Sequence, residues 1–146
     1  MKVLVTGGTG FIGASVVRNL LSRGTSVVIG EYARDDAVLA GLQGAELGLV
    51  DVADPKAIEA VFARHPDLTH CIHLAYLMSA EVEANMARGV TVNLLGMVNM
   101  FEACARPKLS RLVFTSSETV YGASQKVCGD RPVVEDDYCG PNDNFF

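Results

Sequence analysis

The sequence predicts an α/β fold, a parallel sheet covered by helices on both faces. Three observations carry that expectation. Strand-like and helix-like stretches alternate from Lys2 to Ser116 with no repeat and no linker between them. The first strand-like stretches are short, continuous β-branched and apolar runs, as in sheets buried on both sides. A glycine cluster, Gly7-Gly8-Thr9-Gly10, joins the first of these runs to the first helical pattern.

Each element has its own local reason. Lys2 to Thr6 is a strand that stops at Gly7-Gly8. From Phe11 to Arg23, apolar residues at Ile12, Val16, Val17, Leu20 and Leu21 keep helical spacing, and Gly24 follows as a stop. Ser26 to Gly30 is a second strand centred on Val27-Val28-Ile29. A weak helix over Asp35 to Leu42 and a third strand over Glu46 to Val50 come next. Asp54-Pro55 opens another helix, because Asp accepts free amide hydrogens and Pro suits the first helical position. Ile58, Val61 and Phe62 form its buried stripe, and His65-Pro66 ends it. Thr69 to Ala75 reads as a fourth strand, Glu81 to Ala105 as one long helix stopped before Pro107, and Arg111 to Ser116 as a fifth strand. Beyond Gly122 the pattern is loop-like.

Composition narrows the function classes. At 146 residues, 49% hydrophobic and 20% charged, one domain can bury roughly 70% of its unfolded surface without a disulfide or metal staple. A net charge of -5 and no basic patch argue against a nucleic-acid partner. The stretch from Val90 to Ala105 is interrupted by Thr91, Asn93, Asn99 and Glu102, too short and too polar for a membrane span. Met1-Lys2 runs straight into Val3-Leu4-Val5, which is not a signal-peptide pattern, so a cytoplasmic protein is expected. Cys71, Cys104, Cys128 and Cys139 form no CxxC pair, and they are expected to be reduced thiols, two of them in the core. No metal site is expected: His70 and His73 lie three apart on a strand and point to opposite faces. His65 sits where it would complement a helix dipole, and the methionines at 78, 86, 97 and 100 are read as packing.

The chemistry concentrates at Thr6-Gly7-Gly8-Thr9-Gly10-Phe11-Ile12-Gly13. Glycines at 7, 10 and 13 follow a strand and open a helix, the context of a dinucleotide-binding turn. Gly7 permits the tight turn, Gly10 lets backbone approach a pyrophosphate, and Gly13 lets the helix pack closely. Phe11 and Ile12 complete the cofactor-binding set at the helix start, whose amides and positive end hold the anion. Glu31, at the end of the second strand, is placed to accept hydrogen bonds from ribose hydroxyls. A carboxylate there repels a 2′-phosphate, which favours NAD over NADP, although the nearby Arg34 keeps NADP open. A solvated loop acid is the alternative at Glu31. Asp51-Val52 would hold the adenine edge, or Asp51 is simply an acid at a helix approach.

These residues and four further stretches resemble the extended short-chain dehydrogenase/reductases, the NAD-dependent epimerases and dehydratases. The stretches are Leu49-Val50-Asp51-Val52, Ile72-His73-Leu74-Ala75, Val92-Asn93-Leu94-Leu95-Gly96 and Phe114-Thr115-Ser116-Ser117-Glu118-Thr119-Val120-Tyr121-Gly122. The resemblance spans nearly the whole chain. It implies a Rossmann-type doubly wound parallel sheet of five strands, order 3-2-1-4-5, with the cofactor across the strands' carboxyl ends. It also implies that Asp51 and Val52 contact adenine, that Leu74 and Ala75 line the cofactor, that Asn93 supports a proton relay, and that Ser117 is the catalytic serine. Thr115 and Ser116 compete with Ser117, and only the family motif chooses between them.

One departure is large. The family uses a Tyr-x-x-x-Lys pair downstream of that serine. Bringing tyrosine from its ordinary pKa near 10 to neutrality takes about 3 units, or roughly 4 kcal/mol, which lysine and cofactor supply. Here Tyr121 is followed four places on by Gln125, and Tyr138 by Asn142. Loss of a positioned acid/base costs about 10²–10⁴ in rate, so this chain alone is expected to be inactive. It reads as one NAD-binding domain over residues 1-146, the N-terminal part of a longer enzyme, with no second domain visible. Apolar surface on Val90 to Ala105 is then expected to be exposed. The complete enzyme is expected to be a homodimer acting on a small molecule, a nucleotide sugar first. Leu77-Met78-Ser79-Ala80-Glu81 also resembles the threonine dehydrogenase branch, and a non-catalytic NAD-binding module is the alternative from another class.

Overall fold

Lys2–Thr6 (β1) is the central strand of a five-stranded parallel sheet, in a computed structural model that describes residues 1–105, 109–121 and 129–137. The chain divides into two units, Met1–Phe114 and Thr115–Phe146. The first unit carries the sheet. Its elements run Phe11–Ser22 (α1), Ser26–Glu31 (β2), Asp36–Leu39 (α2), Glu46–Leu49 (β3), Pro55–Arg64 (α3), His70–His73 (β4), Ser79–Ala84 (α4), Met86–Val90 (α5), Gly96–Cys104 (α6) and Arg111–Phe114 (β5).

The sheet order is β3-β2-β1-β4-β5, all parallel, as expected. Thr6 pairs with Gly30 of β2 and with His73 of β4, so three strands end side by side at the glycine turn. Successive side chains on a strand take opposite faces, and the core divides accordingly. Val3, Val5, Val27 and Ile29 pack with Ala14 and Val17 of α1. Leu4, Val28 and Cys71 pack on the other face with Ile58, Val61 and Phe62 of α3 and Met100, Ala103 and Cys104 of α6. Pro55 begins α3, and the Asp54 carboxylate accepts the Lys56 amide at 2.9 Å. The short helix α2 is likewise capped, by Asp35 accepting the Val38 amide.

The weak helix and the fifth strand are shorter than the sequence reading, ending at Leu39 and Phe114, and two further elements depart from it more. The fourth strand is only His70–His73, because β1 ends at Thr6, whose carbonyl accepts the Leu74 amide at 3.1 Å. Leu74 and Ala75 therefore leave the sheet as connecting chain. The expected single helix over Glu81 to Ala105 is instead broken. Asn85 has an extended backbone (φ -151°) and caps a new start by accepting the Arg88 amide at 3.0 Å. A π-helical turn over Thr91–Leu95 then leads into α6. Leu94, Leu95 and Val98 are each at least half exposed, which matches the expected apolar surface on this stretch.

Cys71 and Cys104 are the buried thiols. Their mutual hydrogen bond, with burial, pushes the Cys71 thiol well above its ordinary value and keeps it unreactive. Cys128 and Cys139 lie outside the described residues. His65, at the end of α3, is buried with Nδ1 3.3 Å from Lys2 Nζ, so it closes a side-chain network rather than merely facing a dipole. Lys2 in turn pairs with Glu46 at 2.8 Å.

Beneath the turn, Thr6 Oγ1 and His73 Nδ1 are 2.6 Å apart and both residues are buried. Burial lowers the His73 pKa below its ordinary 6.5. The folded protein holds the ring neutral while the unfolded chain takes up a proton as pH falls. Stability should thus be complete above the unfolded pKa and be lost as pH falls below it towards the lowered folded value. The urea midpoint is expected to drop between about pH 7.5 and pH 5.5, and to drop less in His73→Gln. Equal drops would remove His73 as the cause.

Thr115–Phe146 forms the second unit. Its described part contains a 3₁₀ turn at Glu118–Tyr121 and a bidentate pair from Arg131 to Asp137, at 2.8 and 2.5 Å.

Candidate functional site

The turn after β1 is built from backbone. Gly7 has φ +67°, a conformation natural to glycine, and its amide donates to Gly30 O at 2.9 Å. A Cβ there would meet the Leu74 carbonyl and the Ala75 nitrogen at 2.9 Å. Gly13 approaches even more closely, since its Cβ would lie 2.0 Å from Gly7 O. Its role is therefore to seat α1 on the turn itself. At Gly10 a Cβ would meet only Gly7 O, at 3.2 Å.

Helix α1 starts at Phe11, and its first intrahelical bond runs from the Ala14 amide to Gly10 O at 2.8 Å. The amides of Phe11 and Ile12 precede it and have no acceptor within the helix. Their side chains are 97% and 58% exposed, so what these residues offer an anion is backbone.

Glu31 ends β2 beside the turn. Its Oε2 accepts the Thr9 amide at 3.0 Å and the Thr9 hydroxyl at 2.8 Å, while Oε1 accepts nothing among the described residues. Asp51 follows β3. Its Oδ1 accepts the Ala53 amide at 2.9 Å, turning the chain towards α3, and its Oδ2 pairs with Arg88 Nη1 of α5 at 2.9 Å. Both expectations for Asp51 are thus compatible with its position. Val52 is held by its carbonyl, which accepts Asn99 Nδ2 at 3.0 Å. Gly96 packs on its side chain so closely that a Cβ would come within 2.7 Å of Val52 Cγ2.

Gly7, Gly10, Glu31, Asp51, Val52, Leu74 and Ala75 line one cavity of about 480 Å³ at the carboxyl ends of the strands. In parallel α/β sheets such a crevice is the usual ligand position. Three carboxylates line it, on Glu31, Asp51 and Glu81, against one guanidinium, on Arg88. Arg34 does not line it and pairs with Asp36 at 2.6 Å.

Asn93 lies in the π-helical turn and does not line the cavity. Its Oδ1 accepts the Leu77 amide at 2.8 Å and its Nδ2 donates to the Leu77 carbonyl at 3.0 Å. The side chain fixes the backbone after β4, which does line the cavity. Ser117 belongs to the second unit, where its carbonyl accepts the Val120 amide at 3.3 Å. Gln125, Tyr138 and Asn142 lie outside the described residues, as do Phe145 and Phe146. Among the described residues no group of His, Cys, Asp and Glu could hold a metal, and no helix is long and apolar enough to cross a membrane.

Sequence reasoning missed Thr9, Tyr32, Glu81 and Arg88. Thr9 sits inside the glycine motif and Tyr32 directly follows Glu31, so both were within reach of a local reading. Arg88 carries no local signal, because only the fold brings α5 to the end of β3.

Over residues 3–145 the chain matches the NAD dependent epimerase/dehydratase family. It is 34% identical over 149 residues to the bifunctional UDP-glucose 4-epimerase and UDP-xylose 4-epimerase 1 of Pisum sativum, covering 92% of this chain and 41% of that protein. D-erythronate dehydrogenase of Cupriavidus necator is 35% identical over 147 residues, covering 94% of this chain and 43% of the relative. The crystal structure of the Thermus thermophilus UDP-glucose 4-epimerase in complex with NAD superposes with a TM-score of 0.81 at 33% identity. That match covers 97% of this chain and 45% of the other. The chain thus spans about two fifths of the length of the curated relatives it matches.

Proposed function

This chain belongs to the NAD dependent epimerase/dehydratase family, and from that premise we propose that it is the NAD-binding, N-terminal part of an enzyme that works on a nucleotide sugar by hydride transfer. The observation that carries the reading is the convergence of the Gly7–Gly10 turn and Glu31 on one cavity. Bound there, NAD supplies the hydride acceptor. The chain's own residues bind and orient it. Amides at the start of α1 face the pyrophosphate, Glu31 Oε1 takes a ribose hydroxyl, and Asp51 with Val52 borders the adenine. Leu74 and Ala75 line the path towards the nicotinamide.

Three carboxylates around the cavity oppose a 2′-phosphate, which supports NAD over NADP. Asn93 is a positioning residue, acting through the Leu77 backbone, and Ser117 orients a substrate oxygen. The chain contains no tyrosine followed by lysine four places on, so the proton relay would come from a region beyond the one given. The nucleotide-sugar assignment follows the UDP-glucose 4-epimerases among the relatives. The complete enzyme is read as a cytoplasmic homodimer.

Calorimetric titration of this chain with NAD and with NADP tests the cofactor. Tight binding of NAD and weaker binding of NADP are expected, and absence of NAD binding would overturn the reading. For the substrate, the protein as its native source makes it should be weighed and then assayed on nucleotide sugars, sugar acids and L-threonine. A native mass near that of this chain alone, with no turnover, would support the second reading, a non-catalytic NAD-binding module. Such a module would depend on Glu31 and be indifferent to Ser117.

A further inference from the structure

We infer that Arg88 is a positioning residue for the adenosine half of the cofactor, holding the Asp51 carboxylate and the Tyr32 ring as two fixed walls of its slot. The inference rests on the reading that the cavity takes a dinucleotide. All three residues line that cavity, and they come from different elements: Asp51 after β3, Tyr32 after β2 and Arg88 on α5. Arg88 Nη1 pairs with Asp51 Oδ2 at 2.9 Å, and its guanidinium carbon lies 5.1 Å from the centre of the Tyr32 ring.

One planar cation therefore ties two loops together in the wall of the crevice. Arg suits both contacts better than Lys, since a guanidinium pairs with a carboxylate while its flat face lies on an aromatic ring. The helix carrying it is itself anchored, because Asn85 accepts the Arg88 amide at 3.0 Å. Both partners need this restraint. The Asp51 side chain is 26% exposed, and Tyr32 is 69% exposed on a loop that follows β2. Without Arg88, Tyr32 loses a face contact and Asp51 keeps only its bond to the Ala53 amide. The slot would then have to be ordered by the ligand, and the ordering of each side chain opposes binding.

The test is calorimetric titration of NAD and of adenosine monophosphate into the wild-type chain, Arg88→Ala and Arg88→Lys. Arg88→Ala is expected to weaken both ligands by the same factor, about tenfold. Arg88→Lys, which keeps the charge and loses the plane, should recover part of that. The urea midpoint of Arg88→Ala should stay near the wild-type value, since the side chain is 34% exposed and outside the core. Unchanged or tighter binding of adenosine monophosphate to Arg88→Ala would overturn the inference, tighter binding by showing that Arg88 obstructs the slot. A loss on NAD much larger than on adenosine monophosphate would place its effect elsewhere and also overturn it. Wild-type protein that binds neither ligand would instead overturn the cofactor reading itself.

Discussion

Gly13→Ala is expected to abolish NAD binding and to lower the stability of the fold by about 3 kcal/mol, the upper part of the range for an overpacked site. The new Cβ would stand 2.0 Å from Gly7 O and 2.8 Å from both Gly7 C and Gly8 Cα. These are backbone atoms, which cannot rotate away. Nor can the turn retreat. The Gly7 amide is bonded to Gly30 O at 2.9 Å, and the Leu74–Ala75 peptide already lies against Gly7. Helix α1 would have to move outward, taking its free amides away from the turn. Gly24→Ala is the control. It has φ +72° and nothing within 4 Å of its Cβ, so it carries only the cost of a left-handed residue, about 1 kcal/mol. Urea midpoints and NAD titrations of both variants check this. A Gly13→Ala protein as stable as Gly24→Ala would mean that the close approach is not what fixes glycine there.

Glu31→Gln is expected to weaken NAD binding by about 10- to 100-fold, the equivalent of the 1.5–3 kcal/mol that a hydrogen bond to a charged group contributes. NADP should lose little or gain, because the same change removes a negative charge from the place a 2′-phosphate would occupy. The preference between the two cofactors should therefore narrow sharply. Thr9 complicates the variant, since its amide and hydroxyl both donate to Glu31 Oε2. A Gln oxygen still accepts from them, so the turn is retained and the change reports mainly on Oε1. Thr9→Val separates the contributions: it removes one of the two donors to Oε2 and leaves the carboxylate charge. If Glu31→Gln binds NAD as the wild type does, the carboxylate is not the ribose partner.

Much of the fold was legible because its signals are local. Val3-Leu4-Val5 and Val27-Val28-Ile29 are β-branched, apolar runs of the kind found in strands buried on both sides, and Asp54-Pro55 and Gly24 mark helix ends by their own backbone chemistry. The stretch from Glu81 to Ala105 reads as one helix in part for the opposite reason. Its helical periodicity continues through Asn85 and Asn93. Asn93 commits its amide group to the Leu77 backbone, a partner distant in sequence, whereas the Asn85 cap on the Arg88 amide is local and within reach of the sequence. Leu74 and Ala75 look like strand, yet the neighbouring strand they would pair with ends at Thr6.

The site divides in the same way. Gly7, Gly10, Gly13 and Glu31 could be picked out from spacing, since a tight turn, a close approach and an acid at a strand end each demand a residue type at a fixed distance. Those demands act within one βαβ unit, and sequence alone determined them, together with the parallel sheet and the absence of a Tyr-x-x-x-Lys pair from this chain. It takes the folded chain to turn Arg34 away to Asp36 and to bring Arg88 to Asp51 and Tyr32. The fold also presses Gly13 against the turn itself. The physical reason is range. Backbone conformation and capping are settled within a few residues, whereas an ion pair between the end of β3 and α5 exists only after the sheet has set its strand order.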